Sequence, residues 1–294
     1  MKLWKSSLQF LNSWTGTLLI VLFVIFFITQ SYIIPSGSMK NSMLIGDMLL
    51  GKKYAYGVIL PRIPWLELPI LPDFNGNGHL IEGEHPRRGE IVIFRYPLDD
   101  RTNYVKRVVA VGGDEVIYTK KGLYFRPKEG DSYIAEHYAG NEKRSFFNNK
   151  IFVYDPYLNE HPGVHYGNHA LDTPNAYDTL RYLSESIAME VYSQGNEIFF
   201  HYKVEEDHFF MMGDNRDGSS DSRMWGSVPY RSLIGTPWVI WMSIDDDYKV
   251  RWDRLGKSIE ELELKKKQQI QAQNQESNHA LKEAAEELGQ KANP

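Results

Sequence analysis

The chain has 294 residues, room for one large domain or two modest ones, and its 42% hydrophobic and 13% aromatic content supports a sizeable core. A net charge of −5 gives no ground for nucleic acid as a partner. Cysteine is absent, which excludes a catalytic thiol, a Cys-ligated zinc and any disulfide, and which suits an oxidising compartment.

The first predicted element is a transmembrane signal anchor over residues 14–34. No charge occurs between Trp14 and Ile28; Thr29-Gln30-Ser31 interrupts the run and Tyr32-Ile33-Ile34 resumes it. The whole stretch reaches the ~17–25 residues that a spanning helix needs, with Trp14 and Tyr32 as interfacial aromatics. A cleaved secretory signal would have a shorter apolar core and a small-residue cleavage site, which this stretch lacks. Lys2 and Lys5 precede it and the next basic residue is Lys40. The positive-inside rule therefore puts residues 1–13 in the cytoplasm and the large remainder outside.

Beyond the anchor the text reads as short strands: residues 47–51, 90–96, 104–111, 197–202, 208–212 and 238–243. Abundant Tyr (18) and Phe (14) agree with β structure. Residues 61–83 hold four prolines and Gly76-Asn77-Gly78, and are read as a loop rather than a helix. The organisation drawn from this is a catalytic core in two segments, 35–118 and 201–256, separated by an inserted β-rich subdomain at 119–200 with a short helix around 180–191. A charged tail follows at 257–294. That tail is poor in apolar residues and is either a solvated helix or disordered. The fold class is thus mostly β: an antiparallel sheet core, the insertion, one N-terminal membrane helix and a polar tail.

Ser36-Gly37-Ser38-Met39 follows the apolar run directly, which holds a hydroxyl at the rim of a membrane. A serine needs a base to take its proton. The nine histidines form no Ser-His-Asp pattern, and no GxSxG elbow occurs. The candidate base is Lys106, in Tyr104-Val105-Lys106-Arg107-Val108, where strand alternation puts Lys106 and Arg107 on opposite faces. A free Lys at pKa ~10.4 is neutral in roughly 1 of 2,500 molecules at pH 7. Full burial can lower that pKa by up to ~3–5 units, close to the working pH.

Four blocks, read together, resemble the type I signal peptidases, the bacterial leader peptidases. They are Pro35-Ser36-Gly37-Ser38-Met39; Gly46-Asp47 with Tyr54-Ala55-Tyr56-Gly57; Arg88 to Phe94 followed by Tyr104 to Val109; and Gly213-Asp214-Asn215-Arg216-Asp217-Gly218-Ser219-Ser220-Asp221-Ser222-Arg223. The resemblance covers most of residues 32–113 and 205–240. It implies Ser38 as nucleophile and Lys106 as general base. The Ser38 backbone N–H and the Ser36 hydroxyl would form the oxyanion hole, Ser219 would hold the Lys106 amine, and Asp221 with Arg223 would brace that loop. Ile34, Pro35, Met39, Ile93, Tyr104 and Val105 would line shallow pockets for small side chains, with Met43 near their wall. The implied activity is a membrane-anchored serine endopeptidase that removes signal peptides from exported pre-proteins after a small-x-small motif. Its surroundings would be membrane lipid, on the outer side of the inner membrane, and the export machinery. No cofactor, metal or nucleic acid is implied.

One departure stands out. The family's Pro-Thr-Leu after the nucleophile is here Asn41-Ser42-Met43, read as loosening the turn. The acidic residues between Asp214 and Asp221 are read as satisfied by Arg216 and Arg223 rather than by a cation. His161, His165 and His169 are read as a surface loop rather than a metal site. Three other classes stay open on the sequence alone: a non-enzymatic anchored envelope β-domain, a self-cleaving Ser/Lys protease, and a Ser-His-Asp hydrolase.

Overall fold

The computed structural model describes residues 12–63, 68–139, 143–167, 176–195 and 197–291. Strands dominate, in two antiparallel sheets. The first has seven strands in the order Thr29–Ile33, Asp47–Lys52, Leu233–Ser243, Ile91–Tyr96, Asp99–Val111, His208–Met212 and Val228–Pro229. The second has six, in the order Arg144–Phe147, Lys150–Tyr154, Gly122–Arg126, Glu115–Thr119, Glu197–Lys203 and Glu190–Gln194.

The apolar N-terminal segment is shorter as a helix than its composition suggests. The helix Trp14–Phe23 starts at Ser13, whose Oγ accepts from the Gly16 N–H at 3.1 Å, and continues as a π-helical stretch Val24–Ile28. At ~1.5 Å per residue this is about 22 Å, short of a ~30 Å hydrocarbon layer. Residues 29–33 leave the helix because Thr29-Gln30-Ser31 carry polar groups and pair, residue by residue, with Lys52 to Met48. Among the described residues no helix is long and apolar enough to cross a membrane, so the anchor over residues 14–34 is corrected to a helix ending at Ile28 followed by an edge strand. Lys53 joins the two elements by donating to the Ile25 carbonyl at 3.1 Å. Lys2 and Lys5, which carry the orientation argument, lie outside the described residues.

Other expectations change as well. The 61–83 stretch contains a strand, His79–Glu82, paired with Gly57–Ile59, and a two-residue ladder of Arg62–Ile63 with Leu68–Pro69. The helix expected at 180–191 is Ala176–Tyr182, and the strand Glu190–Gln194 begins where helix was expected to continue. Val191 and Tyr192 favour a strand once an aromatic partner, Phe199, faces Tyr192 in the register. The C-terminal segment is drawn as one helix, Ile259–Lys291, whose first turn packs on the first sheet through Ile259 and Leu262.

Apolar clusters hold the sheets. Ile34, Met39, Met43, Ile93, Ile234 and Ile240 form one beneath the first sheet. Val92, Phe94, Val108, Phe209 and Leu233 form another, with Tyr104 and Trp225 packed against it. The largest spans both sheets, joining Val109, Ala110, Phe210 and Met212 of the first to Val116, Tyr118, Leu123, Phe125 and Phe200 of the second. A fully buried Phe or Leu is worth about 1.5–3 kcal/mol relative to exposure, so this shared core fixes the two sheets against each other at the end of the Asp99–Val111 strand.

Candidate active site

The turn that carries Ser38 is built by local hydrogen bonding. Ser36 is extended, Gly37–Met39 forms one 3-10 turn, and the Lys40 N–H returns to the Gly37 carbonyl at 3.0 Å. Met39 is buried and pins the turn to the core. A loop from the far end of the sequence clamps its outer side: the Asn215 N–H donates to the Ser38 carbonyl at 3.0 Å and Asn215 Nδ2 to the Gly37 carbonyl at 3.2 Å. That approach requires glycine at 213, because a Cβ there would sit 2.5 Å from the Ser38 carbonyl oxygen and 2.3 Å from Ser219 Oγ.

Lys106 reaches the same point from the Asp99–Val111 strand. Its Nζ lies 2.6 Å from Ser38 Oγ, and the residue is 5% exposed. Burial pushes the amine down to about 8; Asp221 and Asp214 act to raise it and Arg223 to lower it. A group at that value is neutral in about one molecule in ten at pH 7, some hundred-fold or more above an exposed lysine. The Tyr104 ring lies 5.5 Å from Nζ and supplies an apolar wall. Ser36 Oγ donates to Ser38 Oγ at 3.4 Å from an exposed position.

Buried ion pairs hold the surrounding loop. Asp221 receives Arg223 Nε at 2.8 Å and Nη2 at 2.9 Å, while its Oδ2 also accepts the Gly213 N–H at 3.1 Å. Burial acts to raise the Asp221 carboxyl, but Arg223 holds it below the ordinary value. The Arg223 guanidinium lies over the Tyr118 ring of the second sheet, 4.8 Å from its centroid. Asp214 is gripped by Arg107 at 2.8 and 2.7 Å and by Ser42 Oγ at 2.5 Å. Neither carboxylate is offered to a cation, and no group of metal-ligating side chains occurs among the described residues.

The structure places some expected site residues differently. Ser219 Oγ is buried without a hydrogen-bond partner, so the expected bond from Ser219 to Lys106 is not formed in this geometry. Met43 and Ile93 have no exposed surface and Met39 and Ile34 almost none. They back the site, and the accessible walls are Pro35, Tyr104 and Val105. The turn after Ser38 is tied rather than loose: Asn41 takes a left-handed conformation at φ 79°, Ser42 is fixed on Asp214, and Met43 fills the core. His161 and His165 are not a free surface loop. His161 Nδ1 faces Arg107 Nη1 at 3.0 Å, and His165 Nδ1 faces Asn41 Nδ2 at 3.0 Å. His169 lies outside the described residues. A groove of about 790 Å³ is lined by Tyr56, Arg88, Arg107 and Glu263 among others and does not include Ser38 or Lys106.

Sequence reasoning missed the role of Arg107, treated only as the residue facing away from Lys106. It also missed Asp214 as its partner and Ser42 as the hydroxyl that donates to Asp214. A signal was present: an arginine placed on the opposite face of a strand that is apolar on both sides must bury its charge and so needs a carboxylate from elsewhere.

A family model described as Signal peptidase, peptidase S26 matches residues 7–242. The chain is similar to a signal peptidase I of Helicobacter pylori, 46% identical over 282 residues that cover 90% of this chain and 97% of that one. It is similar to a signal peptidase I of Pseudomonas aeruginosa, 32% identical over 253 residues covering 80% and 72%. A crystal structure of a signal peptidase I from Enterococcus faecalis is 23% identical, covers 52% of this chain and 97% of its own, and has a TM-score of 0.25, too low to carry an argument.

Proposed function

This chain belongs to the signal peptidase family, peptidase S26, and from that membership and the site geometry we propose how it works as a serine endopeptidase removing signal peptides from pre-proteins. The observation that carries the reading is the 2.6 Å approach of a buried, depressed amine to Ser38 Oγ. Neutral Lys106 takes the Ser38 proton, and the serine oxygen attacks the scissile carbonyl. The charge developing on the carbonyl oxygen is met by the Ser38 N–H and the Ser36 hydroxyl. The lysine ammonium then gives its proton to the leaving amine. Once neutral again, it draws a proton from the water that releases the acyl group. Asp221 and Arg223 hold the loop that frames Lys106. The fully packed residues behind the site leave no depth for large side chains, which supports cleavage after a small-x-small motif.

Anchoring in lipid fits the same reading. Trp14, Leu18, Leu19, Ile20, Val21 and Phe23 are all exposed on the N-terminal helix, and Leu3, Trp4, Leu8, Phe10 and Leu11 precede it in sequence. We place this segment in the inner membrane with the N-terminus cytoplasmic and the two sheets outside, next to the export machinery. Enzyme and substrate held in one bilayer meet at raised effective concentration.

The test is cleavage of a pre-protein in detergent by the wild type, Ser38→Ala and Lys106→Ala. Both variants are expected to be inactive, and wild-type cleavage by either would overturn the assignment. For the anchor, the full chain is expected to float with lipid vesicles in a density gradient. Sedimentation of folded protein away from the vesicles would reject it.

A further inference from the structure

We infer that Glu263, near the start of the C-terminal helix, is a positioning residue for the Ser38–Lys106 pair and acts through Arg107. The inference rests on the reading of Lys106 as the base. Arg107 is the next residue on the strand, so whatever fixes its side chain fixes the backbone from which Lys106 projects. It is 1% exposed, and all its N–H directions are taken. Nε and Nη2 go to Asp214, Nη1 goes to the Gly89 carbonyl at 2.6 Å and towards His161 Nδ1, and Nη2 also goes to Glu263 Oε1 at 2.5 Å. Glu263 Oε2 lies 3.2 Å from His161 Nδ1.

Asp214 alone already neutralises Arg107. A second, largely buried carboxylate is a weak device for stability, since desolvation offsets most of the Coulomb gain. What it adds is geometry: two carboxylates, a carbonyl and an imidazole lock a planar guanidinium in one orientation. The lock continues to the nucleophile, because Asp214 accepts from Ser42 Oγ and the following Asn215 N–H donates to the Ser38 carbonyl. The same helical turn touches the nucleophile side directly, through Ile259 and Leu262 in the cluster with Ile34, Met39 and Met43. One turn of helix thus bears on both members of the pair.

The charged groups nearest Lys106 are Asp214, Asp221 and Arg223, and Arg107, Glu263 and His161 lie behind them. Removing the Glu263 charge makes this surrounding more positive, which favours the neutral amine. In the full-length protein, Glu263→Gln is therefore expected to lower kcat by about 3- to 30-fold with KM nearly unchanged. The ascending limb of its pH profile is expected to move to lower pH. Glu263→Asp is expected to recover part of kcat, and Glu261→Gln, an exposed neighbour on the same helix, to behave as wild type. Wild-type kcat and pH profile in Glu263→Gln, whatever its melting temperature, would overturn the inference. Lys106→Ala is run beside it. If Lys106→Ala retains activity, the base assignment itself fails, whereas an inactive Lys106→Ala with a normal Glu263→Gln removes only the role of Glu263.

Discussion

The two sheets share antiparallel geometry and a common core but bury different things. At the heart of the second sheet are Tyr118, Leu123, Phe125, Phe152 and Phe200, side chains that pack and ask for little else. The first sheet and the loop beside it bury Lys106 and Arg107 on one strand and Asp214, Asp221 and Arg223 in the loop. Arg107 takes its carboxylates from distant segments, Asp221 and Arg223 pair within their own loop, and Lys106 has no carboxylate of its own. The contrast separates stability from chemistry. The aromatic sheet holds the frame, and the charged one keeps a single amine uncomfortable enough to lose its proton.

The sharpest way to break that contrast is to remove the reacting pair. Ser38→Ala and Lys106→Met should each lower kcat/KM by at least about 10⁴-fold. Folded Lys106 binds its proton less tightly than unfolded Lys106, so below about pH 8 burying the ammonium destabilises the fold. Lys106→Met should therefore melt no lower than wild type at pH 7 in calorimetry. A clear drop would mean that the amine stabilises the fold.

Next come two substitutions of similar cost and opposite consequence. Phe152→Ala in the second sheet should cost about 3–5 kcal/mol in chemical denaturation while kcat per folded molecule stays near wild type. Asp221→Asn should cost a comparable 3–5 kcal/mol, because Arg223 loses its anion in a dry site. Since Asp221 raises the Lys106 pKa, the same variant should also shift the ascending pH limb downward. If Phe152→Ala moved that limb too, the division between frame and chemistry would collapse.

Ser36→Ala should cost about 10²–10³ in kcat, the usual worth of one oxyanion donor, and an unaffected kcat would exclude Ser36 from that role. The smallest effect is in the wild type itself: kcat/KM should rise with pH through about 8 and level off above it, as the amine becomes neutral. A profile still climbing at pH 10 would mean that Lys106 titrates like a lysine in water.

Legibility followed the range of the interactions. Strands at 47–51, 90–96 and 104–111 were readable because their apolar runs are bounded by Gly, Pro and charge. The helix 14–28 was readable as apolar, but not its end, because residues 29–33 become a strand only when Asp47–Lys52 lies beside them. The helix expected at 180–191 failed for the same reason, since Tyr192 needs its cross-strand partner. His161 read as a loop residue because neither Arg107 nor Glu263 is near it in sequence.

By itself the sequence determined the chemical inventory. It set a serine turn directly after an apolar segment, a lysine in a strand apolar on both sides, and an Asp/Arg-rich loop, and those motifs carry the family and the pair. The tertiary structure decided the rest: which carboxylate meets which guanidinium, how deeply the amine is buried, and that the C-terminal helix reaches Arg107. The physical reason is that hydrophobic runs and turn residues act over a few positions of chain. Charge neutralisation and desolvation depend on distance in space, between residues 68 to 156 positions apart.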